Sequence, residues 1–97
     1  MDKQYVIIAG DSGVYFGALV GGLDSITGDG VVRLDGARHL RRYYVAGRQG
    51  DGSAADLARL GMDSSSPSIT PPVEGVSVLL GVRRVFPVSA AAIGSFL

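Results

Sequence analysis

Arginine and tyrosine crowd into one short stretch of this chain. From Leu34 to Tyr44 it reads Leu-Asp-Gly-Ala-Arg-His-Leu-Arg-Arg-Tyr-Tyr. In an extended strand alternate side chains leave opposite faces, so Arg41 and Tyr43 project to one side and Arg42 and Tyr44 to the other. Each face then sets a guanidinium beside an aromatic ring. A guanidinium forks phosphate oxygens and a ring gives a nucleobase a flat partner, so the combination suits a nucleotide. The plainer reading is a strand with one face in the core and its arginines reaching out to water. For a single face, the sequence leaves both readings open.

Six residues stand out as candidates for ligand contact. Arg38, Arg41 and Arg84 are expected to meet phosphate or ribose oxygens, Tyr43 and Phe16 to stack, and Ser12 to donate a hydrogen bond from a loop. The choice of Arg41 and Tyr43 takes Leu40, Arg42 and Tyr44 as the other face. A reversed register hands the same roles to Arg42 and Tyr44.

Catalytic constellations are missing from this reading. The single histidine, His39, has no second histidine as a metal co-ligand and reads as a structural strand residue. Most carboxylates are aspartates in turn contexts (Asp11, Asp24, Asp29, Asp35, Asp51), where they satisfy local backbone donors. Gly10-Asp-Ser12-Gly13 does not match the Gly-x-Ser-x-Gly elbow of a serine hydrolase. Its glycine-flanked amides could form an anion nest with the Ser12 hydroxyl, although Asp11 opposes a phosphate there; a plain hairpin turn is the simpler reading. Walker and dinucleotide fingerprints are absent. Of Arg83 and Arg84, adjacent on a strand, only one can face a given pocket. The expectation is a protein that binds without turnover, with no metal and no cofactor.

Nine basic and nine acidic side chains leave the formal charge at zero, so a generic electrostatic grip on duplex nucleic acid is not expected. Within that balance, Val31 to Gly50 holds five arginines and one acid, Asp35, which makes a basic patch in a neutral protein. Ninety-seven residues form one domain, 1–97, whose limited core favours self-association. Without cysteine there is no disulfide framework and no thiolate chemistry. The first residues run into a short apolar segment without a cationic region before it, so no signal peptide is expected, and no run is long enough to span a bilayer. The cytoplasm is the expected compartment. The preference for arginine over lysine, with abundant alanine and glycine, also fits a GC-rich genome.

These residues need elements to hold them. Tyr5 to Ala9 reads as a buried strand, and Gly10 to Gly13 as a turn into a second strand, Val14 to Val20, bent or bulged at Gly17. Gly21 to Gly30 is a loop. Val31 to Leu34 and His39 to Ala46 read as two more strands, with Asp35-Gly36 as the hairpin turn between them. Ser53 caps a helix that ends at Gly61. Met62 to Pro72, with four serines and three prolines, reads as a loop that could act as a lid. Val76 to Val88 is a strand interrupted at Gly81, Ser89 caps a final helical turn, and Phe96 and Leu97 should dock on the sheet or on a neighbouring subunit. The fold expected is mainly β (α+β): a small curved antiparallel sheet or partly open barrel with one or two short helices.

Several segments together resemble a family of small tailed-phage proteins of uncharacterised-domain type. They are Tyr5-Val-Ile-Ile8, Ser12-Gly13-Val14-Tyr15-Phe16-Gly17, the stretch Val32-Arg-Leu34-Asp-Gly-Ala37-Arg38-His39-Leu40-Arg41-Arg42-Tyr43-Tyr44, and Val76 to Ser89. That group in turn resembles the phage sponges that disarm Thoeris immunity by sequestering cyclic ADP-ribose signals, some of which also take up cyclic oligonucleotides of the cGAS-like (CBASS) pathway. The resemblance implies a viral anti-defence protein of the host cytoplasm, a homo-oligomer whose ligand sits uncleaved among aromatic and arginine side chains. A second likeness is to Sm-like small barrels, which form rings around single-stranded RNA; Gly17-Ala-Leu-Val-Gly and Val32-Arg-Leu-Asp-Gly-Ala37 fit that cadence. A phage structural or interaction module without a small ligand is the third alternative.

Overall fold

β-Branched and aromatic residues at alternate positions decide where this chain extends. The computed structural model describes residues 3–46, 53–63 and 68–97. Strand β1 (Tyr5–Gly10) turns through Asp11 and Ser12 into β2 (Gly13–Leu19), and the antiparallel register sets Ile7 opposite Phe16 and Ile8 opposite Tyr15. The irregularity expected at Gly17 is present: the pairing of β2 with its next neighbour shifts between Phe16 and Ala18.

That neighbour, β3 (Val32–Arg42), is one continuous strand, which corrects the expectation of two strands joined by an Asp35-Gly36 hairpin. Gly36 has φ +66°, the left-handed geometry that a bulge requires as much as a tight turn does. Here the extra residue is absorbed as a bulge, because residues on both sides of it already have partners in β2: Leu19 meets Leu34, and Phe16 meets Arg38.

Helix α1 (Ala54–Leu60) begins where the sequence predicts, with the Ser53 hydroxyl accepting from the amide of Asp56, and it buries Leu57 and Ala58. Two residues, Ser68–Ile69, form β4 on the outer edge of β3, and β5 (Val76–Leu79) occupies the same edge further along. Between them the amides of Thr70 and Val73 donate to the carbonyls of His39 and Ala37. The lid expected over Met62 to Pro72 is therefore corrected where the segment is described. Met62 donates its amide to the Ser95 hydroxyl, and residues 68–73 are laced to β3; residues 64–67 lie outside the described residues.

The break expected at Gly81 separates β5 from β6 (Val82–Pro87), which crosses to the far side of the sheet and pairs with β1. Strand order is β4-β3-β2-β1-β6, with β5 beside β4 on β3. Among the described residues the architecture is mainly β, an antiparallel sheet with two short α-helices. The second helix, α2 (Ala90–Ile93), is capped by Ser89 as predicted and runs into a single tight turn that carries Phe96 back onto the sheet.

A core cluster packs on each face of the sheet. Ile7, Phe16 and Leu40 pack under the two helices with Leu57, Ala92 and Phe96. Val6, Ile8, Leu19, Val32 and Leu34 pack on the other side, against Leu79, Val82 and Val85. No helix among the described residues is long and apolar enough to cross a membrane.

Candidate functional site

Alternation along β2 and β3 brings two of the six candidates side by side. Phe16 and Arg38 are direct cross-strand partners on the helix-covered face, and both line a hollow of about 250 Å³. Phe16 is 2% exposed and already stacked: the Tyr5 ring lies 5.3 Å away, nearly parallel, and the Phe96 ring 4.6 Å away. It floors the hollow and offers no free face. Tyr5, half-buried on the same side of β1, is the ring that borders the opening.

Arg38 has a double task. Its Nε donates to the carbonyl of Thr70 at 2.9 Å and its Nη1 to the carbonyl of Phe96 at 2.6 Å. A guanidinium carries five N–H donors, so these two bonds fix its plane and leave the rest of the fork for a ligand. Lys3 stands on the same rim, with Asp35 near it. A wider, more open hollow of about 560 Å³ along Gln4 and Val20 to Gly22 shares Lys3, Ala18 and Asp35 with the first, so the two adjoin. A third, of about 220 Å³ between Gly28 to Val32 and β6, is bounded by Arg83 and has no aromatic wall.

The other four candidates lie elsewhere. Ser12 is exposed at the tip of the β1–β2 turn, where its carbonyl accepts a long 3.5 Å bond from the Tyr15 hydroxyl. Arg84 pairs with Ala9, one step from that turn, and is exposed. Arg41 is exposed beyond His39, whose ring stacks on Tyr15 at 4.5 Å on the opposite face of the sheet from Phe16. Tyr43 packs against the helix-side core, and burial raises its phenol above the ordinary range. Arg41 and Tyr43 are thus not brought together: Arg41 is exposed, and Tyr43, past the end of β3 at Arg42, packs on the helix-side core. Arg48, part of the basic run, lies outside the described residues.

Lys3, Tyr5, Asp35 and Phe96 belong to the hollow although sequence reasoning did not single them out. For Tyr5 the signal was available, since alternation sets it on the face of Ile7. The other three reach the hollow through pairings distant in sequence. Elsewhere, Asp29 in the loop before β3 is held below the usual carboxylate range, chiefly by the Thr27 hydroxyl and then by the Val31 amide. Arg83 is raised by the Asp11 carboxylate, which accepts from its Nε at 2.6 Å.

Chemically, the main hollow couples an aromatic floor to a rim with two cationic side chains and one carboxylate, Asp35. It suits a flat or apolar group carrying an anion. Among the described residues no three His, Asp or Glu side chains gather as a metal site would require.

An antiparallel sheet of this order, with short helices packed on one face, defines a small β-rich domain. Over residues 3–96 the chain matches the family model described as a domain of unknown function, DUF6948, and it belongs to that family. No curated protein and no solved structure matches it.

Proposed function

We propose that this protein binds and sequesters a nucleotide-derived signal, of the cyclic ADP-ribose or cyclic oligonucleotide type, without cleaving it. The observation that carries the reading is the adjacency of Arg38 and Phe16 in register, lining one hollow with Lys3 and Tyr5. Arg38 and Lys3 take phosphate oxygens, and the base lies against the Tyr5 end of the aromatic floor. Drug-sized ligands fill roughly 300–1,000 Å³. A hollow of about 250 Å³ holds part of such a molecule, and the adjoining space toward Val20 receives the rest. Ser12, Arg41 and Arg84, at the turn end, belong to this site only if a second copy carries them to it, so homo-oligomerisation is part of the proposal. In this reading the protein is a phage anti-defence sponge of the host cytoplasm, which rests on the sequence resemblance.

A second reading is favoured by one observation. The outer strands β5 and β6 are linked only by Leu80 and Gly81, and the Gly81 carbonyl accepts from the Asp11 amide. A sheet curled this far toward itself fits a partly open barrel of Sm-like cadence and a single-stranded RNA ligand.

Calorimetry against a panel of cyclic nucleotides and single-stranded RNA, with ligand re-extracted by heat, tests both. A sponge gives back intact nucleotide from binding that changes little with salt. An RNA binder weakens steeply as ionic strength rises. Hydrolysed nucleotide would overturn the sponge in favour of an enzyme, and silence across the panel would favour an interaction module.

A further inference from the structure

Among the described residues, nothing guards one edge of the sheet. In β3 the Arg33 carbonyl accepts from the Val20 amide, so Arg33 and Asp35 direct their main-chain groups toward β2. Their partners in β5, Val78 and Val76, therefore form non-hydrogen-bonded pairs with them and turn their own N–H and C=O outward, away from β3. Both side chains face solvent, 54% and 56% exposed, and Leu80 just beyond the strand is 66% exposed. No lysine, proline or bulge interrupts Val76–Leu79.

The opposite edge is handled differently. β6 carries exposed Arg83 and Arg84, ends at Pro87, pairs with β1 through an irregular register and gives its Val82 amide to the Gly30 carbonyl. Those are devices that stop strand addition, and β5 lacks them. β4, two residues long, is too short to serve.

We propose that β5 pairs antiparallel with β5 of a second copy about a two-fold axis at Ser77. This is the register that uses both outward residues of each copy: Val76 meets Val78 of the other, each pair exchanging both N–H···O bonds, and Ser77 faces Ser77 across the axis. Charge does not oppose the same partner. Along the solvent face each row then runs Arg33, Val78, then Val76 and Asp35 of the second copy, and the next row runs in reverse. Unlike charges end every row, and the copies, each of zero formal charge, do not repel. The axis passes one strand away from Asp35 and Gly36, which line the candidate hollow, so two hollows flank one dimer. This pairing supplies a surface for the self-association proposed above and needs no nucleotide.

The strand is short, so the dimer is concentration-dependent. Sedimentation velocity without ligand should show a monomer–dimer equilibrium, and Val78→Lys should weaken it on the order of 100-fold with an unchanged circular dichroism spectrum. Because the chain has no cysteine, Ser77→Cys supplies a second test: it should oxidise to a covalent dimer far faster than Ser25→Cys in the exposed loop. Monomer at all concentrations up to millimolar, an equilibrium untouched by Val78→Lys, or equal oxidation of the two cysteine variants would overturn the proposal. A dimer that binds no nucleotide would overturn only the ligand reading.

Discussion

Arg38 holds the carbonyl of Phe96 at 2.6 Å, and the Phe96 ring lies against Phe16, the cross-strand partner of Arg38. One charged side chain in the middle of the sheet therefore fastens the C-terminal turn over the floor of the hollow. Arg38→Met should lose the bonds to Phe96 and Thr70 and cost about 2–3 kcal/mol, read as a lower urea midpoint. Arg38→Lys should recover only part of this, because an ammonium cannot reproduce the planar fork.

Phe96 is fully buried, between the sheet and the two helices. Phe96→Ala should destabilise by roughly 3–5 kcal/mol, a large share of what a domain of this size holds. Guanidinium unfolding would show it, and Leu97→Ala, at an exposed neighbour, should change little.

Gly13 sits at φ +126°, and a Cβ there would come 2.7 Å from Nε2 of His39. Gly13→Ala should push the imidazole off Tyr15 and cost on the order of 1–3 kcal/mol. The check is the His39 ring proton shifts in an NMR spectrum, which should lose the upfield displacement caused by the Tyr15 ring.

Asp29 makes the stability of the fold acid-sensitive. Its carboxyl is held below the usual aspartate range by bonds to the ionised form, so the stability it contributes is complete above the unfolded-state value. That contribution is lost as pH falls through the lower folded value. Asp29→Asn should flatten the acid limb of a plot of unfolding midpoint against pH and leave its neutral limb parallel to that of the parent protein.

Local signals were legible wherever one residue decides the geometry. Ser53 and Ser89 cap helices, Gly81 breaks the last long strand, and the apolar run from Tyr5 extends as a strand. Asp35-Gly36 misled because a turn and a bulge demand the same backbone angle of glycine; only the partners in β2 distinguish them. The hollow was half visible. Phe16 and Arg38 stand out by type, but what unites them with Lys3 and Phe96 is a register and a C-terminal turn that local pattern does not encode. The same limit separated Arg41, which is exposed, from Tyr43, which packs on the helix-side core past the end of β3.

The central claim is that a phosphorylated ligand enters the hollow between Lys3, Tyr5 and Arg38. Backbone amide shifts followed by NMR, during titration with a cyclic nucleotide found to bind in the calorimetric panel, test it most directly. Perturbations are expected to centre on Lys3, Tyr5, Gly36 and Arg38, with Lys3→Glu weakening binding roughly tenfold. Perturbations confined to Ser12, Arg41 and Arg84 at the turn end, or binding indifferent to Lys3→Glu, would contradict it.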